Sequence, residues 1–101
     1  MTDRLTTEAR VRARVHLPLA LREEASGSAS IDVACTTVAD AIDAACHAYP
    51  TLRRHILDER GTLRPHVNVF VNDADARTRE GLSTTVRSGD AIHIVPSIAG
   101  G

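Results

Sequence analysis

At 101 residues the chain fits one small domain, whose single core would bury about 60–65% of the surface the unfolded form exposes. Hydrophobic residues make up 43% and charged residues 25%, an ordinary globular balance, but aromatics are only 2%, so Val, Ile, Leu and Ala must fill the core. The formal charge of −1, from 12 basic and 13 acidic residues, supplies no field that would draw the chain to nucleic acid or an anionic membrane.

Residues 1–9 are polar, Thr-rich and without period, and are expected to form a disordered leader. From Val11 the pattern changes. Val11, Ala13, Val15 and Leu17 alternate with Arg12, Arg14 and His16, the period of a half-buried strand that Pro18 ends. A polar stretch at residues 22–28, containing Gly27, leads to a second alternating run of Ala29, Ile31, Val33 and Cys35, expected to pair with the first as a hairpin. Thr37, with Asp40 three residues on, has the form of a helix N-cap. After it Val38, Ala41, Ile42, Ala45, Cys46 and Tyr49 recur at helical spacing until Pro50 stops the run. Leu52, Ile56 and Leu57 predict a short second helical piece ending near Gly61.

A third strand follows, with Val67, Val69 and Val71 on one face and Asn68, Phe70 and Asn72 on the other. Asn72 and Asp73 turn the chain, residues 77–87 are mixed and polar around Gly81 and Leu82, and Ser88, Gly89 and Asp90 make another turn. Ile92, His93, Ile94 and Val95 form the last strand, which runs straight into the end of the chain. Two strands, a helix and further strands predict an α+β fold, a mixed sheet with one main helix packed across one face, over residues 10–96.

The inventory of reactive side chains is thin. All basic residues are Arg, so no Lys is present as a Schiff-base nucleophile or as an acceptor for self-conjugation, a fact that composition bias explains equally well. Cys35 and Cys46 have a redox or metal reading, but both fall on core faces, where free cysteine behaves as a small hydrophobe. His16, His47, His55, His66 and His93 sit on different elements without ligand spacing, so no metal is expected. Phosphate loops, nucleophile elbows and paired carboxylates are lacking, which argues against independent catalysis. The Arg12 and Arg14 stripe reads as a solvated face or a guard against edge pairing rather than a partner site. No apolar run approaches the roughly 20 residues of a membrane span and no signal-peptide stretch opens the chain, so a cytoplasmic protein is expected.

The ending Ile94-Val95-Pro96-Ser97-Ile98-Ala99-Gly100-Gly101 resembles that of the sulfur-carrier family that includes the molybdopterin synthase small subunit and the thiazole-biosynthesis carrier. Residues 67–75, Gly81-Leu82 and the turn Ser88-Gly89-Asp90 stand where that family has its third strand, late loop and last hairpin. Within the family, Val69-Phe70-Val71-Asn72-Asp73 and Asp75-Ala76-Arg77 look most like the carrier serving an O-phosphoserine-dependent cysteine synthase.

The resemblance implies a ubiquitin-like β-grasp fold and a protein cosubstrate without catalytic side chains. Its working group would be the Gly101 carboxylate, on a flexible arm of residues 97–101. It implies that Pro96, Ser97, Ile98, Ala99, Gly100 and Gly101 thread a partner's active site. It also implies no bound cofactor, ATP and magnesium being used by a partner related to ubiquitin-activating enzymes. The sulfur acceptor would be a cysteine synthase-like, molybdopterin synthase large subunit-like or thiosugar synthase-like enzyme. Phe70, His93, Val95 and Ile98 would lie opposite the valine core and form an apolar docking patch, unless another loop covers them. A ubiquitin-like modifier joined through Gly101 to lysines of other proteins is the alternative reading.

Overall fold

A computed structural model describes residues 10–96. Its strands are β1 (Val11–His16), β2 (Ser30–Cys35), β3 (Val67–Val71), β4 (Ala74–Asp75) and β5 (Ala91–Pro96), and its α-helices are α1 (Val38–Ala48) and α2 (Arg53–Ile56). The strands form one mixed sheet in the order β2-β1-β5-β3-β4. The last strand in sequence is thus central, parallel to β1 on one side and antiparallel to β3 on the other.

Alternation decides which face becomes core. Ala13, Val15, Val33, Cys35, Val67, Val69, Ile92 and Ile94 all point to one side and are buried. Across that side lies α1, which contributes Val38, Ala41, Ile42, Ala45 and Cys46, the stripe its helical spacing dictates. The helix starts where its cap requires: the Thr37 side chain accepts the Asp40 amide at 3.2 Å, and the Asp40 carboxylate accepts the Thr36 amide at 3.0 Å and the Thr36 hydroxyl. Leu52, Ile56 and Leu57 are buried as their spacing predicts, but α2 ends at Ile56. Residues 57–63 instead close a small turn, with Leu57 bridging Leu63 and Asp58 accepting the Arg60 and Thr62 amides. Gly61, at φ +83°, meets the backbone need of that turn.

Three further readings change. The β1–β2 connection is a turn of 3-10 helix, Leu19–Ala25, whose Leu21 and Ala25 are buried, so it is less polar in role than in composition. Ala29 is exposed and lies before β2 rather than on its inner face. Residues 77–87, polar on average, supply Val86 to the core, which also takes Ala76 just before them. Val86 donates to the Thr36 carbonyl at 3.0 Å and Val38 to the Thr84 carbonyl at 3.0 Å, so this loop is stitched to the start of α1. The buried cysteines behave as core: burial raises the thiol pKa of both Cys35 and Cys46.

Candidate functional site

The site is built on β5. At its start, Asn72 adopts a left-handed conformation (φ 56°), which turns β3 into β4 and aims its side chain at the neighbouring strand. Its carboxamide accepts the Ala91 amide at 3.0 Å and donates to Asp90 at 3.0 Å, while its own amide donates to the Ala91 carbonyl at 2.7 Å. Two turns recognised separately in the sequence are therefore one latch. Its partners lie 18 and 19 residues apart, and no local pattern announces such a contact.

At its other end, Pro96 faces Val67 in register. There β5 leads into Ser97, Ile98, Ala99, Gly100 and Gly101, which lie outside the described residues, as do residues 1–9. Of the residues expected to thread a partner, Pro96 alone is described; it is half-buried. Of the expected docking residues, Ile98 is outside the description and the other three are on the face opposite the core.

Among the described residues, no helix packs on that face. The strand registers align Ser30, His16, His93, Phe70 and Asp75 as one row across all five strands. His16 and His93 stack with ring centroids 4.7 Å apart and planes 18° from parallel. Partial burial first, then the neighbouring His93 and Arg14, lower the His16 pKa. One step along, Val95 sits opposite Asn68 and is 41% exposed; it and Leu19 are the exposed large hydrophobics among the described residues. Phe70 and His93 are half-buried.

Polar groups rim the row. Arg14 and Asp32, register partners on β1 and β2, form an exposed ion pair at 2.7 Å, which holds Asp32 below the usual carboxylate range. Such a pair in water orders the surface more than it stabilises the fold. Both Arg12 and Arg14 are solvent-facing, as expected of a solvated stripe. They guard no edge, however, because β1 lies between β2 and β5 and the sheet edges are β2 and β4. On the opposite flank the Arg77 guanidinium donates to the Asn68 side chain at 2.6 Å and to the Arg64 carbonyl at 2.9 Å. Sequence reading found Arg77 only as part of a motif, because its partner Arg64 lies in an irregular segment with no period.

Among the described residues, no three His, Cys, Asp or Glu side chains gather as metal ligands would. No helix among them is long and apolar enough to cross a membrane.

A five-stranded mixed sheet of this order, one main helix across one face and a central last strand leading to Gly-Gly define a ubiquitin-like β-grasp protein of the sulfur-carrier class. A model of the ThiS family matches residues 15–101, and the chain belongs to that family. A putative sulfur carrier protein of Archaeoglobus fulgidus is 38% identical over 88 residues, covering 87% of this chain and 97% of the relative. The sulfur carrier protein CysO of Mycobacterium tuberculosis is 33% identical over 89 residues, covering 86% and 96%. In the crystal structure of the Amycolatopsis orientalis BexX/CysO complex, a chain 32% identical superposes with a TM-score of 0.82, covering 88% of this chain and 99% of that one. The small archaeal modifier protein 1 of Methanosarcina acetivorans superposes with a TM-score of 0.79 at 30% identity, covering 91% and 98%.

Proposed function

We propose that this family member is a working sulfur carrier: an E1-like enzyme adenylates the Gly101 carboxylate, and the resulting thiocarboxylate donates sulfide to a biosynthetic synthase. The observation that carries this reading is continuity. The family match extends to Gly101, and the strand leading there is the central one of the sheet.

A carboxylate is a poor acyl donor because oxide would have to leave. Its oxygen therefore attacks the α-phosphorus of ATP on the partner, pyrophosphate departs, and an acyl adenylate forms. Hydrosulfide then attacks the Gly101 carbonyl carbon. The C–S bond forms, the C–O bond to AMP breaks, and the thiol proton passes to solvent, leaving an ionised thiocarboxylate. ATP and magnesium belong to the partner. This chain supplies the substrate carbon, and two residues without Cβ leave that carbon open in a narrow channel.

The sheet face of Phe70, His93 and Val95, together with Ile98, serves as the docking surface, since among the described residues no helix packs on it. A sulfur acceptor follows in turn, of the cysteine synthase-like, molybdopterin synthase large subunit-like or thiosugar synthase-like type. The similarity to CysO supports the first, through an O-phosphoserine-dependent cysteine synthase, and a CysO solved in complex with a second protein supports a carrier that acts by docking. All of this chemistry is cytoplasmic.

Incubation of the full chain with the adenylating enzyme from the same genome, ATP, magnesium and sulfide should raise its intact mass by one oxygen-to-sulfur exchange. An unchanged mass, with an enzyme shown to activate another carrier, refutes the proposal. The likeness to a small archaeal modifier protein favours a second reading, in which Gly101 is joined to lysines of other proteins. Higher-mass conjugates in cells, lost on deleting Gly101, would establish it.

A further inference from the structure

Where β5 ends, two cations are held in place without a counter-charge. Arg64 donates its Nε to the Arg54 carbonyl at 2.6 Å, and its own carbonyl accepts both the Val67 amide at 3.0 Å and Arg77 at 2.9 Å. Arg77 completes its hold on the Asn68 carboxamide. The acceptors of both guanidinium groups are neutral oxygens, and among the described residues no carboxylate stands within ion-pair distance of either. Of the acids beside them, Asp58 accepts from Thr62 and from the Arg60 amide and Asp75 accepts the Arg77 amide, while Glu59 lines the same hollow as Arg64 without an ion pair to it. Exposed Arg54 and Arg60 lie on the same side, in a hollow that Asp58 and Glu59 also line.

A guanidinium fixed through one or two of its five N–H groups keeps its full charge and has its remaining donors already aimed. Pre-orientation of this kind lowers the entropy lost when a planar anion arrives. The position of the pair is specific. Val67, tied to Arg64, is the register partner of Pro96, from which the last five residues depart.

We infer that Arg64 and Arg77 form a carboxylate-binding clamp that seats the chain on an acidic rim around the partner channel receiving its C-terminal segment; this rests on the carrier reading above. The reach of the chain identifies the ligand as protein carboxylate rather than nucleotide phosphate. Five residues threaded through a channel could set Gly101 up to about 17 Å beyond Pro96. A phosphate reacting at Gly101 would then be remote from the arginines, whereas the mouth of the channel would be beside them. Rim charges of this sort accelerate encounter and set its salt dependence.

The test is steady-state thiocarboxylate formation by full chains carrying Arg64→Glu with Arg77→Glu, with the same-genome adenylating enzyme, across ionic strength. We expect KM to rise about ten-fold or more with kcat retained, and the fall of kcat/KM with salt to flatten. Arg87→Glu, at the opposite end of β5, should change neither by more than about two-fold. Should the double reversal fail to fold by circular dichroism, Arg64→Gln, whose amide still reaches a carbonyl, provides the reading through the same salt slope. Equal KM and equal salt slope in the reversed and unsubstituted chains overturn the clamp while leaving the carrier function intact. Absence of the mass gain in the unsubstituted chain overturns both.

Discussion

Asp40 does two things at the start of α1: its amide is capped by Thr37, and its carboxylate accepts the Thr36 amide and hydroxyl. The Thr36 hydroxyl, more than any other contact, holds this carboxyl below the usual carboxylate range, against the opposing effect of partial burial. The sign of the pH effect follows. A group whose pKa is lower folded than unfolded stabilises fully above its unfolded value, about 3.9, and that stability is lost as pH falls through the folded value. Thr37→Ala should cost about 1 kcal/mol at neutral pH, a drop in melting temperature of roughly 4–8 °C. Asp40→Asn should also destabilise at neutral pH but flatten the loss of stability below about pH 4, a slope Thr37→Ala leaves unchanged. Thermal melts at pH 7, 4 and 3 would decide it; parallel curves for Asp40→Asn and the unsubstituted chain would refute the assignment. This cap was legible in the sequence because it joins residues three apart. The Asn72 latch, made of the same kinds of group, was not, because its partners are brought together by strands distant in the chain.

At the scale of elements, periodicity named each long strand and the long helix, since each has one face in a shared core, and it placed Phe70, His93 and Val95 on the face that α1 leaves open. It did not show that β5 would lie between β1 and β3, nor that His16 and His93 would meet, because alternation gives the face of a residue and not its neighbour. That meeting has a measurable consequence. His16, packed against His93 on β5 and beside Arg14 on its own strand, with Ser30 and Phe70 completing the row, has a lowered pKa and so favours the neutral ring in the folded state. Stability from this site is whole above the unfolded value of about 6.5 and declines as pH falls from there through the lowered folded value. Denaturant melts at pH 7.5 and 5.5 should show a loss for the unsubstituted chain that His16→Gln reduces. An equal loss in both would mean that other groups set the pH response.

For the whole molecule, the carrier reading separates grip from chemistry. Residues 100 and 101 supply the reacting carbon, while the open face and the arginine pair supply contact area and charge. Two variants test that separation together. A chain lacking Gly100 and Gly101 has no activatable carboxylate at the right reach, yet keeps Phe70, His93, Val95, Arg64 and Arg77. It should therefore inhibit thiocarboxylation of the full chain competitively, with an inhibition constant within about ten-fold of the full chain's KM, since a short tail contributes less contact than a sheet face. Adding Val95→Asp to the truncated chain places a charge on the proposed docking face. Because Val95 is 41% exposed, the fold should tolerate this with little change in melting temperature, whereas burial of an unpaired carboxylate against an apolar partner surface should weaken inhibition about ten-fold or more. If the truncated chain does not inhibit at all, recognition resides in the tail and the sheet face is a solvated surface. If it inhibits equally well with and without Val95→Asp, docking uses another face. Only inhibition that is present and then lost with Val95→Asp fits a carrier gripped by its open sheet and reacting at its last residue.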